Sequence, residues 1–585
     1  MRRAISSTLP GRAGLGVANR HPLRYPLRLG AGFHTKGADA SEAIGAVAKT
    51  TKVPAGTLAE EEAPLRLRRE GVTVEELKER RRKAGRLVAG TAAYSDTDMF
   101  KGPSAGKPKA KRWDHHLAPE SAVRVPCVLK QAAKHLKKPG IISLGGGLPC
   151  AEYFPIDSIS FRVPSAPNFT EAATHSDGID LHIGKYTSTG PNPTSEYDLA
   201  TSLNYGQANG SAQMNRFVAE HTELVSNPPY ADWRSCLTVG STAALEQSLR
   251  MLCDKSRHDA ILTEEHSFST AVETAMPLGI PVFGVPMDAQ GLLPDALDSM
   301  LINWDPSQRK GARKPHVLYT VPSGQNPTGA TQGERRRRDI YAVACKHDLF
   351  ILEDEPYYFL QMPTYPSPKS STEGTSQSTE KFLSSLIPTL LSLDTQGRVL
   401  RMDSFSKVVV PGSRLGWVTA SEQIIERYIR HAEVCNQGPS GISQVVLHKL
   451  LDETWGHDGY LKWLMHLQGE YTKRRDVMML ACEKFLPGEV VSWTPPRAGM
   501  FHWLKVDHTL HPSHPTRSIL DLEEEIFNRC IDGGVLIARG SWFRAEHDKP
   551  PSGLYFRATF AAATEENMTE AIRRLGVAIG ETYGI

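Results

Sequence analysis

The stretch SCLTVGSTAALEQSLRMLCD, residues 235–254, decides the fold class. SCLTVG (235–240) is a short apolar run of strand length, and STAALEQSLRMLCD (241–254) carries the spacing of a helix. The unit repeats downstream. DAILTE (259–264) reads as a strand before the helix SFSTAVETAM (267–276), and HVLYTVP (316–322), LFILEDE (349–355) and VLRMDSF (399–405) read as further strands. Alternation of this kind predicts an α/β fold, a parallel sheet with helices on both faces. Ligands of such sheets gather at the carboxyl ends of the strands, where the conspicuous polar residues of this chain sit.

Four of those strand ends carry chemistry. In VGSTAALEQ (239–247), a glycine and two hydroxyls open a helix, whose free N–H groups and dipole suit a phosphate. Ser241 as a plain helix cap is the alternative. In VPSGQNPTGA (321–330), Asn326-Pro327 makes either a tight turn that aims the Asn amide inward or a plain surface turn. In ILEDEPYYF (351–359), Asp354 ends an apolar strand, where an unpaired carboxylate is costly and a protonated pyridine nitrogen is a fitting partner. Tyr357 offers a phenol at the same rim. In DSFSK (403–407), Lys407 stands among Ser404 and Ser406 and ahead of Arg414. An amine in such a pocket can form a Schiff base while its neighbours hold a phosphate. Each segment is weak alone; their order along the chain gives them weight.

The ordered set resembles the fold-type I pyridoxal-phosphate aminotransferases, over about residues 120–585. IISLGGGLP (141–149), LDTQGRVLRMDSFSKVVVPGSRLGW (393–417) and RAGMFHW (497–503) look like the kynurenine/2-aminoadipate and fungal aromatic amino acid aminotransferase branch. AAYSDTDMFKGP (92–103) and KAKRWDHHL (109–117) look like its fungal aromatic members. The resemblance implies a large domain with a mostly parallel seven-stranded sheet between helices, plus a smaller α+β domain. It implies pyridoxal 5′-phosphate held by Lys407, which also moves the substrate's α-proton, with Asp354 on the ring nitrogen, and Asn326 and Tyr357 on the ring oxygen. Phe268 would stack on the ring, and Ser241, Thr242, Ser404, Ser406 and Arg414 would hold the phosphate. Tyr205, in LNYGQANG (203–210), would reach the cofactor across a homodimer interface. Arg557, in LYFRATFAAA (554–563), would clamp the substrate α-carboxylate, with Gly146, Gly147, Leu148 and Asn326 lining the substrate channel and residues 124–130 forming a lid. His266, beside Phe268, is read as structural.

The implied activity is transamination of Phe, Tyr or Trp with a 2-oxo acid such as 2-oxoglutarate. The alternatives are 2-aminoadipate or kynurenine as donor, or a regulator with an aminotransferase-like domain. Composition agrees with an enzyme of ordinary globular type: 40% hydrophobic and 23% charged in 585 residues. The first 36 residues hold seven basic groups and no acid, leaving 61 Lys and Arg against 65 Asp and Glu. A mildly acidic body argues against gripping nucleic acid, and no long apolar run suggests a membrane span. The basic leader fits a mitochondrial transit peptide, a cytoplasmic location being the alternative. Eight scattered cysteines, with no CxxC pair, point to neither a metal framework nor disulfides. The expected organisation is a leader (1–36), an extension and arm (37–119), a lid and substrate-loop segment (120–175), a large cofactor-binding domain (176–430) and a small domain (431–585). VEELKERRRKAGRLVAG (74–90) reads as a charged helix capped at Thr73, KGPSAGKPKAKRW (101–113) as a linker or arm with its basic residues in solvent, PSPKSSTEGTSQSTE (366–380) as a surface loop, and 564–583 as the last helix.

Overall fold

The sheet predicted from alternating apolar runs is present and has seven strands. In chain order they are β1 (Trp233–Thr238), β2 (Ile261–Glu264), β3 (Val282–Val285), β4 (Val317–Thr320), β5 (Phe350–Asp354), β6 (Val399–Ser404) and β7 (Gly416–Ser421). The computed structural model describes residues 71–585, apart from 105, 133–137, 139, 143, 190–191 and 368–377. The leader and most of the 366–380 loop therefore lie outside the described residues.

The spatial order is β1-β7-β6-β5-β4-β2-β3. β7 alone runs antiparallel to its neighbours, while the β6–β5, β5–β4, β4–β2 and β2–β3 pairs are parallel. Side chains of a strand alternate between faces, and the core divides accordingly. Leu318, Ile351 and Val399 enter one apolar cluster, whereas Tyr319, Leu352 and Met402 enter the other. Both faces are covered, as a mainly parallel sheet requires. A second, four-stranded antiparallel sheet is built from β8 (Val491–Trp493), β9 (Phe501–Val506), β10 (Ala538–Arg539) and β11 (Leu554–Thr559), in the order β8-β9-β11-β10. The helix Glu565–Tyr583 follows it, its Thr564 cap accepting from the Asn567 N–H at 3.2 Å.

The amino-terminal helix α1 (Val74–Ala84) forms behind the expected cap. Thr73 accepts from the Glu76 N–H at 3.1 Å, and the Glu76 carboxylate accepts from the Thr73 N–H at 2.8 Å. It stops six residues short of the predicted end because Gly85, at φ 73°, turns the chain. The stretch after it is not a solvated linker. Lys101 Nζ donates to the carbonyls of Ala231 and Trp233, Lys107 Nζ to Asn227 Oδ1 and the Pro228 carbonyl, and Trp113 is buried. These lysines have carbonyl acceptors on the body, which composition alone does not reveal.

IISLGGGLP opens with an apolar run whose residue types suit a strand. Among its described residues there is none; Ile142 is 88% and Leu144 94% exposed. Its neighbours in sequence form a separate antiparallel pair instead, Ser158–Val163 against Ile179–Gly184, with Leu181 and Ile183 buried and the helix Glu171–Asp177 between the strands. The Ser/Thr-rich loop also ends earlier than expected, in a helix Thr379–Ser385 capped by Ser378.

Candidate active site

Because β1, β2, β4, β5 and β6 are parallel, their carboxyl ends share one edge of the sheet. Antiparallel β7 begins at that edge, which brings Arg414, two residues before it, to the same place as residues that follow the other strands.

After β1, Gly240 takes φ 89° and the helix Ser241–Leu252 begins without a side-chain cap. The N–H groups of a helix's first turn have no partner within the helix. A Cβ on Gly240 would stand 2.6 Å from Arg414 Nη2, so only glycine lets the guanidinium lie over this turn. Arg414 Nη1 donates to Ser406 Oγ at 3.3 Å and to the Pro411 carbonyl at 2.8 Å. Ser404 Oγ bonds Ser406 Oγ at 2.8 Å and accepts from the Ser406 N–H at 3.1 Å, closing the turn that presents Lys407. Phe405, buried against Trp417 at 5.1 Å, anchors that turn from below.

Lys407 is half-buried and forms no hydrogen bond or ion pair among the described residues. Burial, with Arg414 and Arg557 nearby, holds its pKa below the ordinary lysine value. An amine so placed carries a larger neutral, nucleophilic fraction. Asp354 is buried at the end of β5. Tyr319 O–H donates to its Oδ2 at 2.9 Å, while Oδ1 is buried without a partner. Burial raises the Asp354 pKa to about 6, against the lowering effect of Tyr319 and Ser241. Ser241 Oγ itself has no hydrogen bond of good geometry. Thr242 is exposed beside it.

Asn326 is buried, and its Oδ1 accepts from Arg557 Nη1 at 2.8 Å. The Arg557 guanidinium lies 4.4 Å from the Phe501 ring centre and 4.5 Å from that of Phe543. Among the described residues it has no carboxylate partner. Tyr357 is buried edge-on to Phe501 at 5.7 Å, and burial pushes its pKa up. Phe268 is half-buried at the start of the helix Ser269–Ala275.

Three features were missed by sequence reasoning. Tyr319 lies within an apolar strand and reads as core. Phe501 and Phe543 flank Arg557 from segments distant in sequence. Behind Asp354, Arg401 forms a bidentate pair with Asp403 and reaches Glu353 at 3.3 Å, a buried charge network within two strands. Other expectations are not brought together. Gly146, Gly147 and Leu148 are exposed, and Tyr205 is exposed, its backbone N–H donating to Asn204 Oδ1. Lys130 of the expected lid donates to the Gly206 carbonyl, one residue beyond Tyr205. His266 is buried against Trp503 and Tyr555 and neutral, its pKa pushed down to about 4 by burial, in keeping with its structural reading.

Known proteins share this architecture. A profile of the aminotransferase class I and II family matches residues 177–575. An aromatic amino acid aminotransferase of Schizosaccharomyces pombe is 43% identical over 79% of this chain and 97% of its own. The mitochondrial kynurenine/alpha-aminoadipate aminotransferase of Bos taurus is 32% identical over 79% and 97%. The crystal structure of the aminotransferase Aro8 from Candida albicans superimposes with a TM-score of 0.76 at 38% identity, covering 82% of this chain and all of that one. With a half-buried amine and a buried carboxylate on the carboxyl edge of the large sheet, and a guanidinium from the second sheet bonded to Asn326, the chain belongs to the class I and II aminotransferases, fold-type I enzymes that use pyridoxal 5′-phosphate.

Proposed function

We propose that the protein transfers the amino group of aromatic amino acids (Phe, Tyr and Trp) to a 2-oxo acid such as 2-oxoglutarate. The observation that carries this reading is Arg557: a guanidinium oriented by two phenyl rings and one amide, with no carboxylate among the described residues to neutralise it. A planar fork of that kind suits the α-carboxylate common to amino and 2-oxo acids. The aromatic preference rests on the S. pombe relative.

The residues fit the cofactor. Asp354 Oδ1, buried and unpartnered, would accept from a protonated ring nitrogen. The uncapped helix start at Ser241 and Thr242, with Ser404, Ser406 and Arg414, would hold the phosphate. Asn326 and Tyr357 would reach the ring oxygen, Phe268 its face, and Tyr205 of a second copy would complete the site. Bound pyridoxal phosphate supplies an electron sink for the substrate's α-carbon. Lys407 would hold the cofactor aldehyde and carry the proton to and from that carbon. Gly146, Gly147 and Leu148 would border the channel and residues 124–130 cover it. In this reading residues 176–430 hold the cofactor, and 431–585 form a smaller domain that brings Arg557. The seven basic groups of residues 1–36, and the mitochondrial bovine relative, support import into mitochondria.

The test is an absorption titration of the purified enzyme with Phe, Tyr, Trp, kynurenine and 2-aminoadipate in the absence of oxo acid. Conversion of the aldehyde to the amine form of the cofactor by the aromatic donors is expected, and none with Lys407→Ala. Arg557→Ala should raise the concentration needed for every donor alike. The second reading, favoured by the bovine relative, holds if kynurenine or 2-aminoadipate converts the cofactor and the aromatic donors do not.

A further inference from the structure

Two clusters among the described residues bring three metal-binding donor atoms within 4.8 Å of one another. The first, Glu196, His448 and Asp452, is closed to a cation, because Arg81 and Arg216 already pair with its carboxylates. The second joins His115 and His116 of the arm to Asp348, at the turn between the helix Glu334–Lys346 and β5. Here no lysine or arginine pairs with the carboxylate; among the described residues its ionic partners are the two imidazoles.

The spacing is that of ligands around a small ion. His115 Nε2 lies 2.8 Å and His116 Nε2 3.3 Å from Asp348 Oδ2. His116 Nε2 is also 2.8 Å from the Asp348 carbonyl oxygen. Donors bonded to zinc at about 2.1 Å in a tetrahedron stand about 3.4 Å apart. His115 Nε2, now 2.8 Å from the carboxylate oxygen, must move outward to reach that spacing, and its ring is exposed. The His116 ring is held in place, stacked with Trp113 at 5.6 Å and with His316 at 4.7 Å. In the metal-free protein the His116 Nε2–H donates to the Asp348 carbonyl, so metal binding requires the ring to carry its proton on Nδ1 instead.

We propose that His115, His116 and Asp348 bind one divalent cation of the zinc class, with water completing the coordination, and so fasten the arm to the body beside β5. Two imidazoles and one carboxylate favour zinc over magnesium or calcium, which prefer all-oxygen sites. Binding exchanges the hydrogen bonds at both Nε2 atoms for bonds to the metal.

The holoenzyme, treated with chelator and dialysed, would be titrated with Co2+ as a visible probe and then with Zn2+ in competition. One equivalent per chain is expected, with the visible absorption of low-coordinate Co2+, displaced by Zn2+. His115→Ala and Asp348→Asn should each weaken binding about tenfold or more. Asp348 takes φ 55°, a conformation Asn also adopts, and His115 is exposed, so both variants should fold; circular dichroism and cofactor content check this. If Asp348→Asn fails to fold, His115→Ala alone decides. No stoichiometric site at about 1 mM metal, a weak site by any scale, would overturn the proposal. So would Co2+ binding unchanged in His115→Ala, which would place the metal elsewhere, on cofactor phosphate or another histidine.

Discussion

Two forces act on the Asp354 carboxylate in opposite directions. Burial favours the protonated acid, and the Tyr319 hydroxyl favours the ion, leaving the pKa at about 6. A raised acid pKa means that ionisation costs stability as pH rises from the ordinary value toward 6 in the protein without cofactor. A protonated ring nitrogen at Oδ1 would offset that cost. Tyr319→Phe removes the opposing hydrogen bond, so the carboxyl should titrate higher. A charge-assisted hydrogen bond contributes about 1.5–3 kcal/mol, so cofactor affinity near neutral pH should fall about tenfold to a hundredfold. The pH below which cofactor is lost should rise too. Equilibrium dialysis of pyridoxal phosphate across pH checks this; an identical profile for the variant would remove Tyr319 from the site. At this scale the sequence singled out polar residues at or a few residues beyond the ends of apolar strands, as at Asp354, Asn326 and Lys407. It was silent on Tyr319, because a tyrosine inside an apolar strand looks like core. Only the parallel pairing of Tyr319 with Leu352, two residues before Asp354 on the same face, reveals its use.

At the scale of elements, α1 was legible and its docking was not. The cap at Thr73 is local, but the partners of Arg81 are Glu220 and Asp452, far along the chain, each reached at 2.5 Å. Burial pushes the Asp452 pKa up, yet His448, Arg81 and Arg216 pull it far below the usual carboxylate range. Removing one member leaves buried charge less compensated, which costs about 3 kcal/mol. Arg81→Ala should therefore melt several degrees lower at pH 7, as calorimetry would show. A depressed acid pKa contributes stability above the ordinary value of 3.8 that is lost as pH falls below it. The gap between variant and parent should accordingly narrow in acid. Equal melting temperatures at neutral pH would mean that α1 rests on the body without holding it. The lysines of 101–113 teach the same point, for their acceptors are carbonyls that no pattern of residue types announces.

At the scale of the molecule, Val123, Val125, Val128, Leu129, Ile142 and Leu144 are all exposed in a single chain. Apolar surface so concentrated in one stretch of sequence marks an interface, and Tyr205 and the 146–148 loop are exposed as well. The protein should sediment at twice the 64.4 kDa chain mass. Ile142→Asp with Leu144→Asp should shift it toward monomer and lower activity in parallel; a fully active monomer would count against a shared site. β7 has a consequence of another kind. β1, which leads into Ser241, sits at the sheet's edge, and its sheet neighbour is β7, Trp233 facing Ser421. As the ribosome releases the chain, β1 waits unpaired until a strand made long afterwards emerges, whereas β2 and β3 can join at once. The phosphate turn and the reactive lysine thus come together late in synthesis, and a nascent chain stopped before residue 416 has the residues that would hold the cofactor but neither the strand that seats Ser241 beside them nor Arg557.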